Sequence, residues 1–384
     1  MTKWKTIKFG DVVRQIKDRV TDLENCGLTE YTRGEHFESE NLHLIGRSKL
    51  GDGQHGSAFH MRFRPGDVLY VSRNPQLRKV AVADYAGICA NTTYVLRADG
   101  ENLIQELLPF VMQTEEFVEY TIQHKRGSTN FYLNFGDIEP YEFPLPPLDE
   151  QRRIADLLWA ADEHLFEINS LLESLLQLRK SFIVEKFNHI LAGNSKIVTI
   201  AEAGEVLMGR QRSPRYEKGI SPRPYLRVAN VYDGFVDTTD VKTMDFSETE
   251  FENFGLKYGD VLLVEGHSSA EVVGRSLIYR DEVPGSCFQN TLLRFRTKSV
   301  SPEFAHQYFR YCLYTKEFSR VAKQTTIAHL GSARFAKMKF PIVSQKIDDE
   351  ITKTVSEIET SIGQTQQQII INKNLKSQIF SSML

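Results

Sequence analysis

From Ile154 onward the apolar residues fall at Ile154, Leu158, Ala161, Leu165, Ile168, Leu172, Leu175 and Phe182, with Arg179 in the same series. The steps alternate four and three, a mean of about 3.5 residues, which marks a coiled-coil seam rather than a generic amphipathic helix. Pro144-Leu-Pro-Pro147 bars a helix before it, and Asp149-Glu150 supplies acidic capping groups at its start. Further apolar residues at Leu157, Leu171, Leu178 and Ile183 predict that this helix buries more than one stripe. A second seam runs through Ile351, Val355, Ile358, Ile362, Ile369, Ile379 and Met383, interrupted by Thr365, Asn372 and Lys376. It is too polar to stand alone, and its natural partner is the first seam. A parallel, in-register pair would set Arg179 beside Lys376, whereas an antiparallel pair brings each toward the acidic start of the other helix, at 348–350 or 149–150. The antiparallel form is expected. Residues 154–182 would then span roughly 43 Å.

Outside the helices the pattern is mixed. Val68–Val71, Lys79–Ala83 and Thr92–Leu96 are strand-length runs bounded by turn residues, and Val261–Val264 and Leu292–Phe295 are their later counterparts. Gly66-Asp67 and Gly259-Asp260 are turn signals ahead of a strand. Segments 101–124 and 302–323 are predicted helical, with Ser301-Pro302-Glu303 a good start. Strands followed by helices, without regular alternation, predict an α+β class.

These elements occur twice. Shifted by 197 residues, segment 128–187 lies on 325–384 without a gap, so that Leu133 meets Leu330 and Phe143 meets Phe340. The chain therefore divides into a mixed α/β domain at 1–148, a helical region at 149–192, a second domain at 193–346 and a second helical region at 347–384. Together these predict a pseudo-twofold internal repeat with the two long helices as an antiparallel coiled coil.

Composition narrows the function. The 384 residues are 41% hydrophobic, with mean hydropathy −0.34, enough for real cores. The N-terminal stretch has no apolar signal core, no run is long enough to span a membrane, and the four cysteines form no close pair, so a cytoplasmic protein is expected. A net charge of −3 gives no global push toward nucleic acid, so any DNA contact must come from local basic surface. The sequence has no Walker loop, zinc-ligand pattern, Ser-His-Asp signature or Asn-Pro-Pro-aromatic motif. Neither catalysis nor a bound metal is expected of this chain.

Phe143-Pro-Leu-Pro-Pro-Leu-Asp-Glu-Gln-Arg-Arg-Ile-Ala-Asp-Leu-Leu158 closely resembles the sequence that follows a target recognition domain in specificity subunits of Type I restriction–modification systems. Gly127-Ser-Thr129 with Leu133, and Gly66-Asp67-Val68-Leu69, are similar to the same family's patterns. The second copy is degraded, with Pro341-Ile-Val-Ser-Gln345 in place of the proline-rich stretch and no Glu-Gln pair. The resemblance implies that each domain reads one half of a split, asymmetric site in double-stranded DNA, and that the helices set the spacer. It also implies docking of two methyltransferase subunits, which bind S-adenosylmethionine and methylate adenine. Two restriction subunits using ATP and magnesium could join. The alternative is a coiled-coil scaffold or inhibitory partner that reads no DNA.

Under the DNA-reading view, basic and amide side chains on loops are the candidates. In the first domain these are Arg47 and Lys49; Ser72, Arg73, Asn74, Gln76, Arg78 and Lys79; and Lys125, Arg126, Thr129 and Asn130. In the second they are Arg210, Arg212 and Arg215; His267, Ser268 and Arg275; and Lys323, Thr325 and Thr326, with His329 nearby. The aromatics Phe131, Tyr132 and Tyr216 could stack on sugar or base, but packing in the core is the expectation.

Overall fold

The computed structural model describes residues 4–23, 25–213, 221–324 and 327–383. It separates into two units, residues 1–169 with 367–384, and residues 170–366.

The first unit is built on an antiparallel sheet ordered Val13–Ile16, Thr93–Ala98, Val68–Val71, Val80–Val82. A second sheet, ordered Ser48–Lys49, Glu30–Tyr31, Gly87–Ala90, Phe59–Phe63, lies in the same unit. Lys5–Lys8 pairs with Glu142–Leu145. The second unit repeats the plan. Gly204–Met208, Leu292–Thr297, Val261–Val264 and Ser276–Ile278 form its antiparallel sheet, and Lys196–Thr199 pairs with Lys339–Ile342. The α+β class read from the sequence is the observed one.

The Gly-Asp turns show why the two copies fold alike. Gly66 and Gly259 take φ of 85° and 88°, a left-handed conformation that glycine adopts without a Cβ penalty. Asp67 accepts the Arg64 backbone N–H at 2.8 Å and a guanidinium fork from Arg97, and Asp260 does the same with Lys257 and Arg296. Each buried carboxylate thus closes a turn and ties two neighbouring strands together.

The predicted helices at 101–124 and 302–323 are broken. In the first segment Asp99 accepts backbone N–H groups of residues 101–103, holding the chain in turns. Helix then forms at Leu108–Val111 and again at Glu115–His124, where Thr114 caps Phe117 N. In the second, Pro302–Tyr314 ends where Lys316 adopts φ of 63°, and Glu317–Val321 follows.

The long helices run Leu148–Ala192 and Gln345–Met383. In the first unit Ile154, Ala155 and Leu158 enter the core, and Ile379 and Phe380 pack against it. In the second unit Ile183, Phe187 and Ile190 meet Ile351 and Val355. The start of one helix therefore lies with the end of the other in both units, which is the antiparallel pairing. Leu165, Ile362 and Ile369 are buried on the seam, while Leu172 and Phe182 are half-buried. Leu157, Leu171 and Leu178 are 40%, 51% and 53% exposed, so of the flanking residues only Ile183 is buried. The wider apolar face is not covered within the described chain.

Two ion pairs link the helices. Asp162, 5% exposed, bonds Lys376 Nζ, with His43 Nε2 2.9 Å from its other oxygen. In the second unit Arg179 lies 3.6 Å from Glu359, and Asp233 receives Arg179 at 2.8 Å and Arg310 at 2.7 Å. Asp162 and Glu359, and likewise Arg179 and Lys376, are related by the same 197-residue step. Gln151 and Asp348 share it too. Gln151 accepts Ile104 N at 3.0 Å, and Asp348 accepts Ser301 N at 2.7 Å, so the missing glutamine of the second copy is replaced by a carboxylate with the same task.

Leu158→Ala or Phe187→Ala should cost about 2–5 kcal/mol of stability in denaturant titration. Asp162→Ala should cost about 3–5 kcal/mol by stranding Lys376, and Asp162→Leu with Lys376→Met should recover most of it. Burial pushes the Asp162 carboxyl up, but His43 and Lys376 outweigh it and hold it below the usual range; burial likewise pushes Asp233 up, but Arg310 and Arg179 outweigh it and hold it below that range too. A carboxylate lowered in the folded state stabilises above its ordinary pKa of about 3.9 and loses that contribution as pH falls below it. Stability measured from pH 5 to pH 2.5 should fall less steeply in the Leu/Met double variant.

Candidate nucleic-acid interface

Two of the three candidate loops in the first unit are knit into one surface. Arg73 and Arg126 each form an antiparallel bridge with Tyr132. Arg126 N and Tyr132 N exchange backbone bonds at 2.8 and 3.0 Å, Asn74 N reaches Phe131 O at 2.9 Å, and Leu133 N reaches Ser72 O at 3.0 Å. The fold thus sets 72–76 beside 125–132, although about fifty residues separate them.

Side chains on this surface divide by commitment. Arg73 is exposed and has no side-chain partner among the described residues; Gln76, Thr129 and Asn130 are also exposed. Lys125 is half-buried, with its Nζ 4.0 Å over the Phe131 ring. Arg126 is exposed but forked onto Asp137 at 2.5 and 2.8 Å. Asn74 is half-buried, at φ of 52°.

Other candidates, Lys49 excepted, are engaged by the fold. Ser72 is 2% exposed and donates to Thr92 O at 2.8 Å, so it faces inward. Arg78 holds Glu115 at 2.5 and 2.6 Å and Glu40 at 3.1 Å, and the Glu115 hydrogen bond raises its pKa. Lys79 Nζ donates to Gly34 O at 2.6 Å. Arg47 lies 3.2 Å from Glu30 and 3.4 Å from Asp84, over the Tyr85 ring, while Lys49 is exposed on the neighbouring strand.

The second unit carries the same ladder as regular strands. Gly266–His267 pairs with Ala328–His329, which pairs with Lys323–Gln324. Gly266 and Lys323 oppose His329, as Arg73 and Arg126 oppose Tyr132. Leu330 N reaches Glu265 O at 2.8 Å, matching Leu133 and Ser72. His267 is half-buried and accepts Ser269 N, and Ser268 is exposed. Arg275 packs 4.8 Å over the Tyr232 ring, where burial pulls its pKa down. Arg210 departs from expectation. It is 9% exposed, bonds Asp245 O and Glu250, and lies 4.9 Å over the Phe246 ring, so it braces the domain. Arg212 is exposed. Arg215, Thr325, Thr326 and Tyr216 lie outside the described residues.

Tyr132, expected in the core, is 40% exposed. The available signal was alternation: Leu133 is buried, so its neighbour in an extended strand faces the other way. No pattern in the sequence marked Glu265 as the buried partner of His329, 2.9 Å from its Nδ1.

A family model described as the type I restriction modification DNA specificity domain matches residues 1–177 and again 193–373. The chain belongs to this family. The two matches follow the internal repeat, one over each copy. Among curated proteins, the EcoKI specificity subunit of Escherichia coli K12 is 27% identical over 209 residues, 49% of this chain and 45% of that one. A putative type I specificity subunit, MjaX, from Methanocaldococcus jannaschii is 24% identical over 233 residues, 57% of this chain and 55% of that one. The chain spans about half the length of the curated relatives it matches. In fold, the type I S subunit of M. genitalium superposes with a TM-score of 0.61 at 14% identity, covering 99% and 96% of the two chains. A chain from an assembled type I restriction–modification system superposes with a TM-score of 0.58 at 18% identity, covering 100% and 98%. Among the described residues no helix of this family member is long and apolar enough to cross a membrane, and no cluster of three metal-ligating side chains occurs.

Thermal unfolding separates bracing from exposed arginines. Arg210→Ala should cost about 2–3 kcal/mol by stranding its buried partners. Arg73→Ala should change stability by less than about 0.5 kcal/mol.

Proposed function

We propose that this chain is the DNA sequence-specificity subunit of a Type I restriction–modification complex. Each domain grips one half of a bipartite, asymmetric site in double-stranded DNA. The reading is carried by one observation: both units build the same three-segment ladder beside the buried Leu133 or Leu330 and turn its other face outward. Exposed Arg73 and half-buried Lys125 in the first unit carry the positive charge that phosphates take up, and phosphate contacts supply a large share of a DNA reader's affinity. Amide and hydroxyl groups at Gln76, Thr129, Asn130 and Ser268 add donors and acceptors suited to base edges or sugar.

Recognition requires no reacting group from this chain. Adenine methylation belongs to two methyltransferase subunits that carry S-adenosylmethionine, and cleavage, where it occurs, to restriction subunits using ATP and magnesium. The exposed Leu157, Leu171 and Leu178 on the first long helix give those subunits apolar area to cover. The assembly works in the cytoplasm, where the chromosome is.

The test uses the chain assembled with its methyltransferase. Methylated adenines should map to one split motif that disappears when this chain is omitted, whereas the chain alone should methylate nothing. Arg73→Glu with Lys125→Glu should weaken DNA binding tenfold or more and reduce the salt slope by about two. Binding and methylation unchanged by the double reversal would refute DNA contact at this surface.

A further inference from the structure

The ladder that joins the candidate loops has a central position in each unit, and the two positions are the same one. Tyr132 and His329 are separated by the 197-residue step, and each follows a buried or half-buried residue and precedes a buried leucine. Extended backbone alternates its side chains, so both are driven outward while Leu133 and Leu330 anchor them. Their backbones are engaged on both sides, Tyr132 with Arg126 and Arg73, His329 with Lys323 and Gly266. Directly opposed residues share a face, so Tyr132 stands between two arginines on the outward side.

His329 is aimed more tightly. Its Nδ1 lies 2.9 Å from Oε2 of Glu265, a residue 5% exposed whose other oxygen accepts Gly331 N at 3.1 Å. Facing a carboxylate, Nδ1 carries the hydrogen and donates it. The ring lies across Gly266, where a Cβ would come within 2.6 Å of Nδ1, so only glycine leaves room for this pose. Nε2 then points away from the anchor and has no partner among the described residues, although the side chain is 48% exposed. An imidazole with one nitrogen held by a buried carboxylate and the other presented outward has a fixed orientation and one open hydrogen-bonding atom.

Two heads on one scaffold that read different sequences must differ where they read. The ladder is shared, whereas Arg-Tyr-Arg in the first unit is replaced by Gly-His-Lys in the second. Backbone-phosphate clamps have no such reason to differ in chemical type, because phosphate is the same at every step. We infer that Tyr132 and His329 are equivalent specificity-determining residues, each contacting a base edge in the half-site read by its own domain. This rests on the DNA-reading function proposed above. With Nδ1 donating to Glu265, Nε2 is the ring atom left to meet a base edge, accepting from an exocyclic amino group when the ring is neutral and donating to a purine acceptor when it is protonated. Tyr132 brings a hydroxyl that can donate or accept.

The experiment is half-site-resolved mapping of methylated adenines in cells expressing the full chain with its methyltransferase subunits. Tyr132→Ala should relax one base pair in one half of the motif, with discrimination there falling about tenfold or more and the other half unchanged. His329→Ala should do the same in the opposite half. Gly266→Ala, which displaces the ring without removing it, should alter the same base pair as His329→Ala. Tyr132→Phe separates the hydroxyl from the ring and should reproduce part of the Tyr132→Ala effect. An unchanged motif in both alanine variants overturns the inference, as does uniform loss across both halves in chains that still fold, the pattern of a phosphate or structural contact. If the wild-type chain directs no split motif, the specificity-subunit reading fails first and this inference with it. A wild-type motif untouched by the variants removes this inference alone.

Discussion

The antiparallel register of the two long helices is the constraint on which the rest depends. An apolar seam by itself tolerates a slip of one heptad, because leucine meets leucine again seven residues on. Buried charge does not. Asp162 is buried against Lys376, with half-buried Glu359 facing Arg179 at the equivalent place, and a slip would strand the Asp162 carboxylate at a large cost. The pairs cost desolvation, and what they contribute is uniqueness. Each also reaches into its own domain, Asp162 to His43 and Arg179 to Asp233, so helix register and head placement are coupled within each unit.

The same economy recurs at the junctions. Gln151 in one copy and Asp348 in the other satisfy the backbone N–H at Ile104 and Ser301. An amide and a carboxylate are different in charge, yet both present an oxygen to an N–H that would otherwise be buried without a partner. The Gly-Asp turns follow the same logic: the glycine supplies the left-handed backbone, and the aspartate binds an arginine two strands' width of sequence away. Divergence between the copies is large in residue identity and small in the physical task each position performs.

Much of the candidate surface was legible as composition and little of it as commitment. Arg73, Lys125, Arg126, Arg210 and Arg78 are indistinguishable as text, each a cation in a polar loop. In the fold Arg210 is clasped by Glu250 and Asp245, Arg78 by Glu115, and Arg126 by Asp137, while Arg73 stands exposed. Whether a guanidinium faces solvent depends on acids 11 to 40 residues distant, and local pattern carries no information about that pairing. Tyr132 faces outward for a related reason. Aromatic side chains favour cores on average, and only the strand register, set by Leu133, turned this one outward.

By itself the amino-acid sequence determined the duplication, the α+β class, the two seams and the turns at Gly66 and Gly259, and it favoured the antiparallel sense of the helices. All of these follow from local periodicity, backbone preference or the charge distribution along one chain, which are properties of neighbouring residues. Only the tertiary structure decided which cations brace the domains and which remain available, that 72–76 and 125–132 form one surface, and that Glu265 aims His329. Those outcomes depend on contacts between segments far apart in the chain, where geometry rather than residue type chooses the partner.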